Sequence, residues 1–264
     1  MDKAFECLNA YYETHNEDAR LTNRRGRVEF LTTIRYIEKY LESGMKILEI
    51  GAGTGRYSHY FARAGYEVDA VKLIPHNIEV FRENTQPGEK ITVAQGNATD
   101  LSAYPDNTYD ITLLFGPMYH LYTEEDQKQA LAEAVRVTKP NGILFVAYCM
   151  NEAAIIQYEF IKGNILHDID CNLLNTDTFR LYTPPENLFA LHRIENIVAM
   201  MEPLPVTRLH LVGTDLFTRY ISGTVDAMSD EVYELYLRYH FAVCERTDLI
   251  GISNHTLDVL RKNA

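Results

Sequence analysis

The chain is 264 residues long, 46% of them hydrophobic, and carries a formal charge of −12. That length suits one large α/β domain, or a domain plus a lid, and the acidic balance argues against a broad nucleic-acid footprint, which needs clustered Lys and Arg. No apolar run approaches the roughly 20 residues of a membrane span, and residues 1–6 lack a charged-then-apolar leader pattern. The four cysteines, Cys7, Cys149, Cys171 and Cys244, are far apart; without C-x-x-C spacing the expectation is reduced thiols in a cytoplasm and no metal.

Residues 1–43 read as helical, with Val28, Leu31, Ile34 or Arg35, and Ile37 or Glu38 on one face and Ser43-Gly44 as the stop. Next, the short apolar run Lys46-Ile47-Leu48-Glu49-Ile50 breaks into Gly51-Ala52-Gly53-Thr54-Gly55. Tyr57, Tyr60, Phe61 and Ala64 then recur at helical spacing. This is strand, tight glycine turn, helix, and such a turn lets a ligand approach bare backbone. Residues 67–73 read as a second strand, Pro75 opens a helix continued by Ile78 and Phe81, and 91–94 is a third strand running into Gly96-Asn97-Ala98. The near-continuous apolar run 111–117 reads as a central parallel strand. Residues 124–137 form a helix capped by Thr123 with Asp126, 138–142 are its stop, and 143–148 are a fifth buried strand. Asn141 suits a turn that needs positive φ.

Between about 150 and 205 the strand–helix alternation breaks. Residues 151–165 look helical, and a further helix is expected from Arg180 through Met200. Residues 206–217 alternate like a strand. Residues 229–246 read as a helix with Val232, Leu235, Tyr236, Tyr239 and Val243 inward, and 253–262 as the last strand. There is no internal repeat or linker, so one domain with an insertion is the simplest reading.

The glycine turn narrows the ligand class. A dinucleotide fingerprint needs glycine at its first, third and sixth positions, here Gly51, Gly53 and Arg56; the third glycine comes one residue early, at Gly55. The E-x-G-x-G-x-G form after K-I-L resembles motif I of the class I S-adenosylmethionine (SAM) dependent methyltransferases. Three further segments resemble that family in order and spacing: Gly96-Asn97-Ala98, Tyr109-Asp110 with its apolar run to Gly116, and Arg136-Val137-Thr138-Lys139-Pro140-Asn141-Gly142.

The resemblance covers about residues 45–150. It implies a Rossmann-like, seven-stranded, mostly parallel sheet with an antiparallel last strand and helices on both faces. Residues 1–44 would form an N-terminal helical cap, 45–150 the SAM-binding core, 151–205 an inserted acceptor-site cap and 206–264 the completing strands and helix. It implies SAM as cofactor, S-adenosylhomocysteine as product, and a small-molecule acceptor, in a monomer or homodimer. Glu49, Gly51, Ala52, Gly53 and Gly55 would line the cofactor turn, Leu73 pack on the adenine, and Asn97 and Ala98 bond its edge. Phe115 and Gly116 would approach the methionine portion. Tyr11 or Tyr12 would face the sulfonium, Arg20 pair with the methionine carboxylate, and Tyr119 and His120 stand beside the transferred methyl, His120 as a base.

Lys72 departs from the pattern, because the family has an acid there that accepts bonds from both ribose hydroxyls. An ammonium has three donors and no acceptor, and strand alternation turns Glu67 and Asp69 to the other face. Three readings stay open: weakened cofactor affinity, an anion on an altered cofactor, or a register shifted by a residue or two. Retained SAM binding is the favoured one; the alternative function is a non-catalytic sensor or partner with a decayed ribose site.

Overall fold

The computed structural model describes residues 3–14 and 20–264. Two helices, α1 (Lys3–Thr14) and α2 (Arg24–Glu38), precede the sheet. The core alternates β1 (Lys46–Ile50), α3 (Arg56–Arg63), β2 (Glu67–Lys72), α4 (Pro75–Asn84), β3 (Ile91–Gln95) and β4 (Tyr109–Leu114). It continues with the short α5 (Pro117–His120), α6 (Glu124–Val137) and the long β5 (Thr138–Met150). Seven strands form one path in the order β3-β2-β1-β4-β5-β10-β9, with β9 spanning Val206–Gly213 and β10 His255–Lys262. The strands from β3 to β5 pair in parallel, and β10 runs antiparallel to both its neighbours. A two-residue strand, β8 (Leu191–His192), adds to β5 beyond the end of β4.

Alternation along the strands makes two cores. Leu48, Ile50, Leu114, Leu144 and Val146 pack with Leu131 and Val135 of α6. Ile47, Ile111, Phe145 and Val259 pack with Ile37 of α2 and Phe61 of α3 on the other face. Pro75 stands in the first turn of α4, where its missing N–H costs nothing. The Thr123 hydroxyl accepts from the Asp126 N–H at 3.1 Å, and Asn141 takes φ 63°. Among the described residues no helix is long and apolar enough to cross a membrane.

Four expectations need correcting. The helix α2 ends at Glu38, six residues before Gly44, and the chain reaches β1 through a turn. Residues 151–165 begin as the one-turn α7 (Asn151–Ala154), widen into a π-helix over Ile155–Ile161 and stop at Gly163, with α8 (Ile165–Asp170) following. There is no helix from Arg180 to Met200. The hairpin β6 (Leu174–Asn175) with β7 (Arg180–Leu181) and a 3₁₀ turn at Pro185–Asn187 come first, and only α9 (Ile194–Met201) is helical. Pro184-Pro185 removes two successive N–H donors, and Leu188 sits at φ 67°, so no α-helix passes through.

Finally, a short α10 (Ser222–Ala227) leads to α11 (Asp230–Val243), whose inward face is Tyr233, Leu237 and His240. Val232, Leu235 and Tyr239 are 48%, 56% and 49% exposed. The helix is apolar on nearly every side, so periodicity left two stripes. Packing chose the one in which Tyr233 meets Val28 and Val225 and its hydroxyl donates to the Arg24 carbonyl at 2.7 Å.

Candidate active site

The C-terminal ends of β1, β2 and β4 open onto a slot. Its floor is the turn after β1, where Gly51, Gly53 and Gly55 all take positive φ. Two of these glycines answer to packing inside the protein rather than to a ligand. A Cβ on Gly51 would lie 2.1 Å from the Phe115 carbonyl oxygen, and one on Gly55 would lie 2.6 Å from the Phe81 ring. Glycine there lets the β1 turn nest against the β4 turn and against α4. One half of the slot is lined by Val71, Leu73, Ala98 and Leu121 with the Asn97 amide; the other by Tyr12, Arg20, Glu49, Ala52, Gly53, Phe115 and Tyr119. Gly51, Lys72 and Gly116 belong to both halves. The Asn97 side-chain oxygen accepts from the Thr99 N–H at 3.2 Å, which fixes the amide and leaves one lone pair and both N–H groups.

α1 lies across this slot. Leu8 and Tyr12 pack on Ile74, the Tyr12 ring lies under the Lys72 ammonium at 4.5 Å, and Lys3 pairs with Glu186. Glu49 is 2% exposed and accepts a hydrogen bond from the Ser58 hydroxyl. Burial pushes its carboxyl up to about 7, against the pull of the Ser58 bonds and the Lys72 charge. It is the one carboxylate lining the slot among the described residues. Asp69 is committed elsewhere, to Lys46, Thr92 and Tyr109 at 2.9, 2.6 and 2.8 Å.

His120 sits in the half that holds Leu73 and Asn97. Its Nδ1 lies 2.9 Å from the Leu188 carbonyl oxygen, which only accepts, so Nδ1 carries the proton. Nε2 then accepts from the Tyr12 hydroxyl at 3.2 Å. Burial, helped by Lys72, drives its pKa down to about 3. Both ring nitrogens are engaged, the basicity is low, and the ring does not line the larger cavity.

That larger cavity, about 300 Å³, adjoins the slot. Tyr12, Arg20 and Tyr119 line both. Beyond them aromatic and apolar side chains (Tyr11, Tyr158, Phe189, Met150) alternate with Arg25, Arg219, Thr218 and Asn254, and Glu29, Asp215 and His255 form a polar corner. Arg20 reaches Glu29 at 2.8 Å. Tyr119 stacks edge-on to His120 and His255 with centroids 5.0 and 6.3 Å away, and burial raises its hydroxyl pKa well above the ordinary tyrosine range. Of the insertion's open candidates, Tyr158 lines the cavity, Tyr182 is 66% exposed, and His167 instead contacts Cys171 at 3.7 Å.

The structure therefore gathers Tyr12, Arg20, Glu49, the glycine turn, Lys72, Leu73, Asn97, Ala98, Phe115, Gly116 and Tyr119 around one slot. It sets Tyr11 in the cavity and Gly55 behind the turn as the residue before α3. Glu29, Asp215, His255 and Phe189 escaped sequence reasoning. They come from α2, the loop after β9, the first residue of β10 and the insertion, and no local spacing links them.

Residues 48–146 match the family model described as "Methyltransferase domain". Over 105 residues the chain is 36% identical to the demethylmenaquinone methyltransferase of Renibacterium salmoninarum, covering 39% of this chain and 41% of that one. Over 106 residues it is 32% identical to the S-adenosyl-L-methionine-dependent Diels-Alderase iccD of Talaromyces variabilis, covering 39% and 35%. The chain thus spans roughly two fifths of the length of these curated relatives. The PH0226 protein of Pyrococcus horikoshii shares the fold with a TM-score of 0.62 at 16% identity, covering 96% of this chain and 99% of that one. The [4+2]-cyclase SpnF does so with a TM-score of 0.56 at 19% identity, covering 89% and 81%.

Proposed function

Since the chain belongs to the class I S-adenosylmethionine-dependent methyltransferases, we propose that it moves the methyl group of SAM to a small molecule held in the larger cavity. The observation that carries this is the shared wall: Tyr12, Arg20 and Tyr119 border the glycine-turn slot and the aromatic cavity at once. A donor in one and an acceptor in the other would meet there. SAM brings a methyl group already activated on a sulfonium, so the chain's work is alignment and exclusion of water.

The slot's residues fit that cofactor at both ends. Leu73, Ala98 and the fixed Asn97 amide suit an adenine, while Tyr12 and Tyr119 offer aromatic faces to a cation. The ribose position does not fit the family's acid clamp, because Lys72 has no acceptor; Glu49 is the carboxylate available in its stead. α1 closes the slot from above through Tyr12. The aromatic cavity favours a flat, partly apolar acceptor, in keeping with the quinone-ring substrates in the names of several relatives. Two similar proteins are named for cycloaddition, so the test has to score methylated product.

Calorimetric titration with S-adenosylhomocysteine, followed by radiolabelled methyl transfer to a panel of phenols and quinols, tests the reading. Micromolar binding, about −8 kcal/mol, with labelled product is expected. Tight binding with no methylated product across O, N, S and C acceptors would count against methyl transfer and favour a sensor or a cyclising enzyme.

A further inference from the structure

The polar corner of the cavity is an unusual thing to bury beside aromatic walls. Asp215 is 5% exposed and precedes a 3₁₀ turn that follows β9. Its Oδ1 accepts from the Ser253 hydroxyl at 2.7 Å and from the Asn254 and His255 N–H groups at 2.8 and 3.1 Å. That oxygen is fully committed, which locks the carboxylate and aims Oδ2 at the imidazole. His255 Nδ1 lies 3.2 Å from Oδ2 and 3.4 Å from Glu29 Oε2. Arg20 Nη1 reaches the same Glu29 oxygen at 2.8 Å. The donor atoms of Glu29, Asp215 and His255 all lie within 4.8 Å of one another, the one such trio among the described residues.

We propose that Glu29, Asp215 and His255 bind a first-row divalent cation, of the Mn²⁺ or Zn²⁺ kind, with its open positions facing the cavity. Ligands about 2.0–2.2 Å from a metal stand roughly 3–4 Å apart; the imidazole stands 3.2 and 3.4 Å from the two carboxylates, and the whole trio lies within 4.8 Å. Two carboxylates and one imidazole, with no thiolate among them, favour Mn²⁺ or Zn²⁺ over a soft ion. The Ser253 hydroxyl and the two backbone N–H groups on Asp215 Oδ1 are outer hydrogen bonds of the kind that orient metal ligands. Without the metal, His255 Nδ1 hydrogen-bonds Asp215 Oδ2 at 3.2 Å; with it, the cation takes that place and the proton leaves. The ligands come from three distant stretches of chain, which explains why cysteine and histidine spacing predicted no metal. The site does not depend on the methyl-transfer reading.

Titration of the full chain with MnCl₂, read by electron paramagnetic resonance of free Mn²⁺ with ZnCl₂ as competitor, tests this. One ion per chain with a dissociation constant in the micromolar range is expected. Glu29→Gln and His255→Gln should each weaken it at least about tenfold, while Asp230→Asn, at an exposed carboxylate, should leave it unchanged. Circular dichroism and melting confirm that each variant folds, and Glu29→Gln is the decisive one because, among the described residues, Glu29 accepts only from the Arg20 side chain. S-adenosylhomocysteine binding is measured alongside, so loss of the cation and loss of the cofactor are read separately. Absence of saturable binding at millimolar cation in the native chain, or equal binding in both variants, would overturn the proposal.

Discussion

The glycine-turn slot and the aromatic cavity touch along Tyr12, Arg20 and Tyr119, yet they are built in opposite ways. Most of the slot comes from short contiguous stretches at the ends of neighbouring parallel strands, where such folds bind ligands. The cavity draws on α1, α2, α5, the end of β5, the π-helix, the insertion, the loop after β9 and the start of β10. The slot is a property of the sheet; the cavity is a property of how everything else was laid against it. Changes in the slot should therefore disturb folding and cofactor together, and changes in the cavity should separate them.

The sharpest way to break that contrast is Gly51→Val. Its Cβ has no space beside Phe115 and Pro117, and its φ is 87°. A β-branched residue in left-handed backbone costs of order 1–3 kcal/mol before any clash. The expected result is a loss of S-adenosylhomocysteine affinity of at least about 100-fold, roughly 2.7 kcal/mol, with a lower melting temperature. A variant that binds normally would mean that the turn does not shape the slot.

Two buried groups in the slot give it an opposed pH response. Glu49 titrates at about 7 in the fold, above its unfolded value near 4.3. The folded state then holds the extra proton, so this group lowers stability as pH rises between those values, by about 4 kcal/mol in all. His120 is depressed to about 3, below its unfolded value near 6.5. There the unfolded state holds the extra proton, so stability rises with pH between about 3 and 6.5. Where the windows overlap, the two slopes cancel. Denaturant titrations from pH 4.5 to 6.5 should be flat with respect to this pair in the native chain. They should rise with pH in Glu49→Gln, where only His120 is left, and fall with pH in His120→Gln. Unchanged profiles in both variants would place these groups in water.

Legibility followed the same division. The strand–turn–helix of the glycine loop, the Asn97 turn and the α6 cap could all be read, because each is signalled within ten residues or so by spacing or turn chemistry; the antiparallel sense of the last strand came from the family resemblance. The stripe that α11 buries could not be, since its apolar residues surround the helix and Tyr233 is selected by Val28 and Val225 far along the chain. Nor could the fate of His120 be read. Its position after β4 was visible, but the Leu188 carbonyl that fixes its tautomer belongs to the insertion. Glu29, Asp215 and His255 meet only after the sheet has closed.

Lys72 sharpens the contrast from inside the slot. Restoring a carboxylate with Lys72→Glu supplies the missing ribose acceptor and removes the ammonium over Tyr12. SAM affinity should rise about tenfold, or 1.4 kcal/mol, with no change in Mn²⁺ binding at the far corner of the cavity. A fall in affinity would show that the lysine itself contacts the cofactor, and would direct attention to a more anionic one.

The smallest expected effect lies at the junction. Tyr12→Phe keeps the ring under Lys72 and its packing on Ile74, and deletes only the hydroxyl that donates to His120 Nε2. A neutral hydrogen bond contributes about 1 kcal/mol net, and an acceptor left buried costs a similar amount, although His120 retains its Leu188 bond. If α1 is held over the slot by that bond, S-adenosylhomocysteine should dissociate about fivefold faster with the association rate nearly unchanged, because the closed state loses stability while the open slot is untouched. Amide exchange over Lys3–Thr14 should quicken by a similar factor. If the ring's packing alone holds the helix, both rates stay as they were, and α1 belongs energetically to the sheet rather than to the cavity it helps to enclose.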